Sequence, residues 1–235
     1  MAHIIPRRRR TAILALLALL CAAALGAALP RGAGAAPPFG SPLAGPPGPG
    51  RWFVSQWYGN SVWAYQNRSA VYGAGQGIHF GVDLAAPCGT SVLAIGDGTV
   101  FATDGPYGSA PHNLVIRHPN GFFSLYGHLL ERPKIAVGTA VRAGQPVALV
   151  GDPAGERCDI EPHVHLEIRR AGMGEAVNPV PLVALDWDRA AIGLRRNGLR
   201  FALDLDNPRP WTTPYDQPDI TFGQALINDF PRVWP

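Results

Sequence analysis

Lysine occurs once in this chain, at Lys134, and cysteine three times, at Cys21, Cys88 and Cys158. The single lysine, in Arg132-Pro133-Lys134-Ile135, has no carrier motif around it, which excludes a biotinyl- or lipoyl-type carrier with its modified hairpin lysine. No cysteine has a C-x-x-C partner, which argues against a thiolate zinc site. Charged residues are scarce at 16%, yet hydrophobic residues reach 47% and aromatics 9%, so a wholly disordered chain is excluded. Acidic residues are missing from the first 35 positions, where Arg7, Arg8, Arg9, Arg10 and Arg31 stand. Those five are a quarter of the 20 basic residues, and the other 15 face 17 acidic ones, a balance of −2. The overall +3 therefore says nothing for a nucleic-acid partner, and none is expected. A length of 235 residues suits one domain with appendages.

Residues 1–35 read as an export signal. Arg7 to Arg10 form a positive start, Ile13 to Leu29 an almost unbroken apolar run, and Ala33-Gly34-Ala35 a small-residue cleavage pattern. Retention as an N-terminal anchor is the alternative, and the only route by which a membrane would be a partner. Leu20-Cys21 makes a poor lipobox. The expected location is therefore secreted or in the bacterial cell envelope. After cleavage Cys88 and Cys158 remain, and an even pair in an exported chain predicts a disulfide.

Residues 36–51 are dominated by proline, glycine and alanine and read as a linker that cannot offset its own chain entropy. The folded domain is expected over residues 52–181. It opens with an aromatic stretch (Trp52, Trp57, Tyr58, Trp63, Tyr65, Tyr72) divided between core and a groove wall. From Ile78 to Val180 short β-branched runs alternate with Gly, Pro, Asp and Asn turns, without a sustained 3.6-residue period. Gly89-Thr90-Ser91-Val92-Leu93-Ala94 is echoed by Gly138-Thr139-Ala140-Val141-Arg142-Ala143. The expected fold is all-β, a duplicated-motif sheet or sandwich core with irregular N- and C-terminal extensions. Residues 182–235 read as an extension packed on the domain, with a short helix near Leu185–Leu194. A monomer is expected.

The histidines carry the chemistry. His163-Val164-His165 opens an alternating strand, which sends both imidazoles to one face. His79 and Asp83 are four apart in His79-Phe80-Gly81-Val82-Asp83. Fully extended they would stand roughly 13 Å apart, too far to share an ion with bonds of about 2 Å, so the chain must bend, and Gly81 lies where it is needed. Tyr126 and His128 are placed on a shared face by the same alternation. Two histidines and a carboxylate form a standard zinc site with a position left for water, and further histidines beside it can move protons. Spacing alone does not say which of His163 and His165 is the ligand. His112 and His118 read as surface or structural. Glu167 shares the face of His163 and His165, either supporting a ligand or salt-bridged on a strand surface.

Three segments together resemble the lysostaphin-type (LytM, or β-lytic) zinc metalloendopeptidases: Gly77-Ile78-His79-Phe80-Gly81-Val82-Asp83, Leu125-Tyr126-Gly127-His128-Leu129 and Pro162-His163-Val164-His165-Leu166-Glu167. That resemblance implies cleavage of peptide bonds in bacterial peptidoglycan stems or cross-links. It implies His79, Asp83 and His165 as Zn2+ ligands and His128 and His163 as the catalytic pair. Some relatives have lost zinc ligands and act as cell-wall-binding scaffolds or amidase activators, which is the alternative. Here the ligand set is complete. The chain departs from the family pattern at Gly155–Glu161 and at Tyr107–His112, two segments expected to border the groove.

Overall fold

The longest strand, β9 (His163–Arg170), is written in strict alternation, and it organises the molecule. Val164, Leu166 and Ile168 point one way into the main apolar core, while His163, His165, Glu167 and Arg169 point the other way. The computed structural model describes residues 36–48, 50–155, 158–191 and 213–230. Before β9 come β1 (Phe53–Gln56), β2 (Val82–Ala85), β3 (Ser91–Leu93), β4 (Gly98–Thr103), β5 (Leu114–Arg117), β6 (Phe123–Gly127), β7 (Ala140–Val141) and β8 (Pro146–Leu149). After it come β10 (Glu175–Val177) and β11 (Ile220–Thr221). The main sheet runs β1-β2-β9-β6-β5-β4-β7, with β10 joined to β9 and carrying β11, while β3 and β8 form a separate pair. Every pairing between these strands is antiparallel. The fold is all-β, as its alternating runs predict.

The internal repeat is visible as an exchange of strands. One copy runs from β3 through a turn into β4, the other from β7 into β8, and the pairs form crosswise, β3 with β8 and β4 with β7. At the crossing, the Ala94 N–H donates to Gln145 O and the Gly144 N–H to Ala94 O. Each half supplies the partner that the other's edge lacks.

Two short α-helices lie among the described residues. α1 (Val62–Gln66) is capped by Ser61, whose side chain accepts from the Ala64 N–H. α2 (Trp187–Ala190) is capped by Asp186 and lies within the stretch 185–194 where a helix is expected, of which residues 192–194 lie outside the described residues. Among the described residues no helix is long and apolar enough to cross a membrane. The export segment at 1–35 lies outside them.

The tether expected over 36–51 needs correction. Phe39 and Leu43 are buried in the main core. Phe39 N–H donates to Leu182 O, Ala184 N–H to Phe39 O, and Leu93 N–H to Pro42 O. Average composition hid two large apolar side chains. Pro42, between them, lowers the chain entropy that packing must overcome. The fold therefore begins before Trp52. Cys88 and Cys158 are joined in a disulfide with Cα atoms 5.9 Å apart, tying the turn after β2 to the loop before β9.

Candidate metal centre

Sheet register places the site. Pairing of β2 with β9 sets Asp83 opposite His165, and pairing of β6 with β9 sets Gly127 on the other side of His165. His79 arrives from outside the strands, bridged to Gly59. Between His79 and Asp83 the chain bends at Gly81, as the spacing requires. A Cβ at Gly81 would lie 2.5 Å from His165 Cε1 and 2.8 Å from Leu166 O, so only glycine lets the bend press this close to β9.

His79 Nε2, His165 Nδ1 and Asp83 Oδ1 converge. The two nitrogens are 3.1 Å apart, and Asp83 Oδ1 lies 3.3 Å from the first and 2.7 Å from the second. Ligand atoms around a tetrahedral zinc, with bonds of about 2.0–2.1 Å, stand about 3.3 Å from one another. All three residues are buried. His163 Nε2 lies 3.7 Å from the same Asp83 oxygen, at the margin of the trio.

Backbone and carboxylate acceptors fix which ring nitrogen carries a proton. His79 Nδ1 faces Trp57 O at 2.8 Å, His163 Nδ1 faces Glu161 O at 2.6 Å, and His128 Nδ1 faces Ala110 O at 2.5 Å. A carbonyl can only accept, so each Nδ1 donates and each Nε2 is left with its lone pair. His165 is turned round: Nε2 faces Glu167 Oε1 at 3.2 Å, which leaves Nδ1 for the trio. His79 Nε2 thus offers a lone pair and Asp83 an oxygen, and His165 Nδ1 completes the set once it gives up the proton it shares with Asp83. That donor set fits a cation of the zinc type.

Charge follows the same geometry. Burial pushes the Asp83 carboxyl up, but the neighbouring His79 and His163 and the hydrogen bond from His165 outweigh it and hold it well below the usual range. Burial pulls His165 down, yet Asp83 and Glu167 overcome it and raise the ring to about 9, so a metal ion entering there replaces a proton. His128 goes the other way. Burial first, then the neighbouring His165 and His163, lower it to about 4, keeping it neutral at neutral pH.

His128 corrects one expectation. Tyr126 and His128 do not share a face. Tyr126 lies in the main core, its hydroxyl accepting from the Ile95 N–H at 2.8 Å. β6 ends at Gly127, and His128 takes φ +56°, which swings its ring from the core side to the site. There it stands 4.8 Å from His163, centroid to centroid. The Tyr107–Pro111 loop can reach the ring because Gly127 has no side chain: a Cβ there would collide with Ser109 Cβ.

All five residues expected at the site, His79, Asp83, His128, His163 and His165, border one groove of about 760 Å³. Trp63, Tyr72, Tyr107, Ser109, Glu161 and Phe222 line it as well, so both departures from the family pattern do border it. The aromatic opening stretch divides as expected: Trp52 and Tyr58 are in the interior, while Trp63 and Tyr72 face the groove. His118 is structural, bonded to Asp97 O and Ser124 Oγ, and His112 pairs with Asp104. Glu167 is wholly buried under His165, not on a strand surface. Sequence reasoning missed Arg169 beside it, whose only signal was the continued alternation of β9, and missed the carbonyls of Trp57, Ala110 and Glu161, which carry no signal at all.

Residues 77–179 match the model of Peptidase family M23. The murein hydrolase activator EnvC of Escherichia coli (strain K12) is 43% identical over 101 residues, covering 43% of this chain and 22% of that protein. The DD-carboxypeptidase/endopeptidase Mpg of Neisseria meningitidis serogroup B is 40% identical over 105 residues, covering 44% and 22%. The chain thus spans about a fifth of the length of these curated relatives. Among solved structures, a mutant catalytic domain of the prophage-encoded M23 protein EnpA from Enterococcus faecalis is 30% identical, covers 57% of this chain and 93% of that one, and has a TM-score of 0.43. The matched segment carries all five site residues, from His79 to His165, and the chain belongs to Peptidase family M23.

Proposed function

We propose that the chain is an exported zinc-dependent endopeptidase that hydrolyses peptide bonds in bacterial peptidoglycan stems or cross-links. The observation that carries this is the convergence of His79 Nε2, His165 Nδ1 and Asp83 Oδ1 beside His128 and His163 in one open groove. One curated relative is named a murein hydrolase activator and another a DD-carboxypeptidase/endopeptidase. A complete donor set with two further oriented histidines favours catalysis over activation here.

His79, Asp83 and His165 would hold the zinc ion, which would supply Lewis acidity for amide hydrolysis. The chain's own residues do the rest. Asp83 contributes the only carboxylate of the trio, and Glu167 keeps His165 facing inward with Nδ1. His128 and His163, pinned through Nδ1 to the Ala110 and Glu161 carbonyls, present Nε2 lone pairs to the groove. Such a neutral imidazole can take a proton from the attacking water and pass it to the leaving amine. A ring protonated in this way can also stabilise an oxyanion.

The test is mass spectrometry of muropeptides after incubation with purified protein, beside zinc stoichiometry. His165→Ala and Asp83→Ala should lose metal and activity together. His128→Ala and His163→Ala should keep zinc and lose turnover by ~100-fold or more. A wild-type protein that binds zinc but cuts nothing, while stimulating a separate wall hydrolase, would establish the activator reading instead.

A further inference from the structure

The segment 213–230 lies outside the matched family region, yet its contacts reach the metal centre. We propose that Arg169, roofed by Phe222 of this segment, is a positioning residue: it fixes Glu167, and Glu167 fixes the ligand ring of His165. The inference rests on the zinc reading above and adds the part of the chain that holds the site in register.

Glu167 is 0% exposed and faces the site from β9. Its Oε1 accepts from His165 Nε2–H at 3.2 Å and from Arg169 Nη2–H at 3.1 Å, and its Oε2 accepts from Arg169 Nε–H at 2.6 Å. A carboxylate gripped at both oxygens by one planar guanidinium cannot swivel, so Oε1 has a single position from which to hold the imidazole. The guanidinium is itself held from elsewhere. Its Nη2 donates to Tyr107 O at 2.9 Å, in the loop before β5, and its Cζ sits 4.4 Å from the centroid of the Phe222 ring.

Phe222 is fastened in turn. Its N–H donates to Gly174 O, and the next residue, Gly223, donates to Ala74 O. Its ring meets Phe80 edge-on at 5.4 Å, and Phe80 meets His165 edge-on at 5.8 Å. The same segment is stitched to the stretch that carries His79. Asn228 Nδ2 donates to Gly77 O, and Thr221 N–H to Gln76 Oε1. Residues 213–230 therefore brace His79 through its chain neighbours and His165 through Phe80 and Arg169 on its own face of β9. A carboxylate behind a metal-binding histidine sets the direction of its lone pair, and here the aim depends on Arg169.

The experiment is chelator competition for zinc on the full chain, beside thermal unfolding of the metal-free protein. Glu167→Gln and Arg169→Met should each weaken zinc binding by roughly 10- to 100-fold, and Arg169→Lys should fall between Arg169→Met and wild type. Because Arg169 acts through Glu167, the double variant should bind zinc no more weakly than the worse single one. Additive losses, or wild-type affinity in folded single variants, would overturn the proposal. If the single variants do not fold, Phe222→Leu decides, since it leaves every polar partner in place. It should weaken zinc by roughly three- to fivefold, and unchanged affinity overturns the role. A wild-type chain that takes no zinc overturns the zinc reading and this one together. One that binds zinc regardless of these substitutions overturns this one alone.

Discussion

A single methyl group at Gly81 should empty the metal centre. The Cβ of an alanine there would stand 2.5 Å from His165 Cε1, 2.6 Å from His165 Nε2 and 2.8 Å from Leu166 O. Non-bonded carbon atoms settle at about 3.5–4.0 Å, so something must retreat by about 1 Å. Leu166 O cannot, because it belongs to the middle of β9, hydrogen-bonded on both sides. The His165 ring is the softer neighbour, although Asp83 and Glu167 hold its two nitrogens. Zinc–ligand distances tolerate only about ±0.2 Å, several times less than the displacement demanded. Gly81→Ala should therefore weaken zinc binding by well over tenfold, with a stability cost of roughly 1–3 kcal/mol from overpacking. Gly138→Ala is the control. That glycine has φ +87° and open space around it, so it should lose roughly 1–2 kcal/mol of stability through backbone strain and leave zinc affinity unchanged. Chelator competition reads the first effect, and urea unfolding of the metal-free protein reads the second. A Gly81→Ala protein that retains zinc as the wild type does would refute the close approach, and with it the ligand assignment built on it.

Further outcomes follow from other parts of the fold. Cys88 and Cys158 are 70 residues apart, so Cys→Ser at both should lower stability by roughly 4 kcal/mol in urea unfolding, and thiol labelling of the denatured wild type should find neither of them free. Asp152 accepts from the N–H groups of Ala154, Ile160 and Glu161. Burial pushes its carboxyl up, but those three donors outweigh it and hold it below the usual value. A folded value below the unfolded one (about 3.9) means that its stabilisation is present above about pH 4 and disappears as pH falls through the folded value. Asp152→Asn should thus be less stable at neutral pH and show a shallower acid limb, and an unchanged acid limb would disprove the role. Phe39→Ala should cost roughly 3–5 kcal/mol and Leu43→Ala roughly 2–5 kcal/mol, whereas a free tether would show no loss in thermal unfolding.

Much of this was legible in the residues. Strict alternation in His-Val-His-Leu-Glu-Ile-Arg declares a strand with one apolar and one chemical face, because side chains on extended backbone alternate. The His79/Asp83 spacing demanded a bend, and only Gly81 could supply it. The tether reading failed at Phe39 and Leu43 because composition averages over a segment, while burial is decided by two side chains and a cavity formed elsewhere. The shared face of Tyr126 and His128 failed because alternation ends where the strand ends, and the left-handed turn at His128 comes from a loop that reaches back over Gly127.

Strand periods, candidate ligands and the faces within each strand can all be read along the chain, since they are local consequences of backbone geometry. Which of the two histidines on β9 joins the trio cannot, because His163 and His165 have identical local patterns and point the same way. The difference lies in cross-strand register, which puts Asp83 opposite His165, and in distant acceptors. Glu167 accepts a hydrogen bond from His165 Nε2–H, while the Glu161 carbonyl accepts one from His163 Nδ1–H. An imidazole's role is fixed by the nitrogen its neighbours leave unprotonated, and those neighbours are gathered only by the fold.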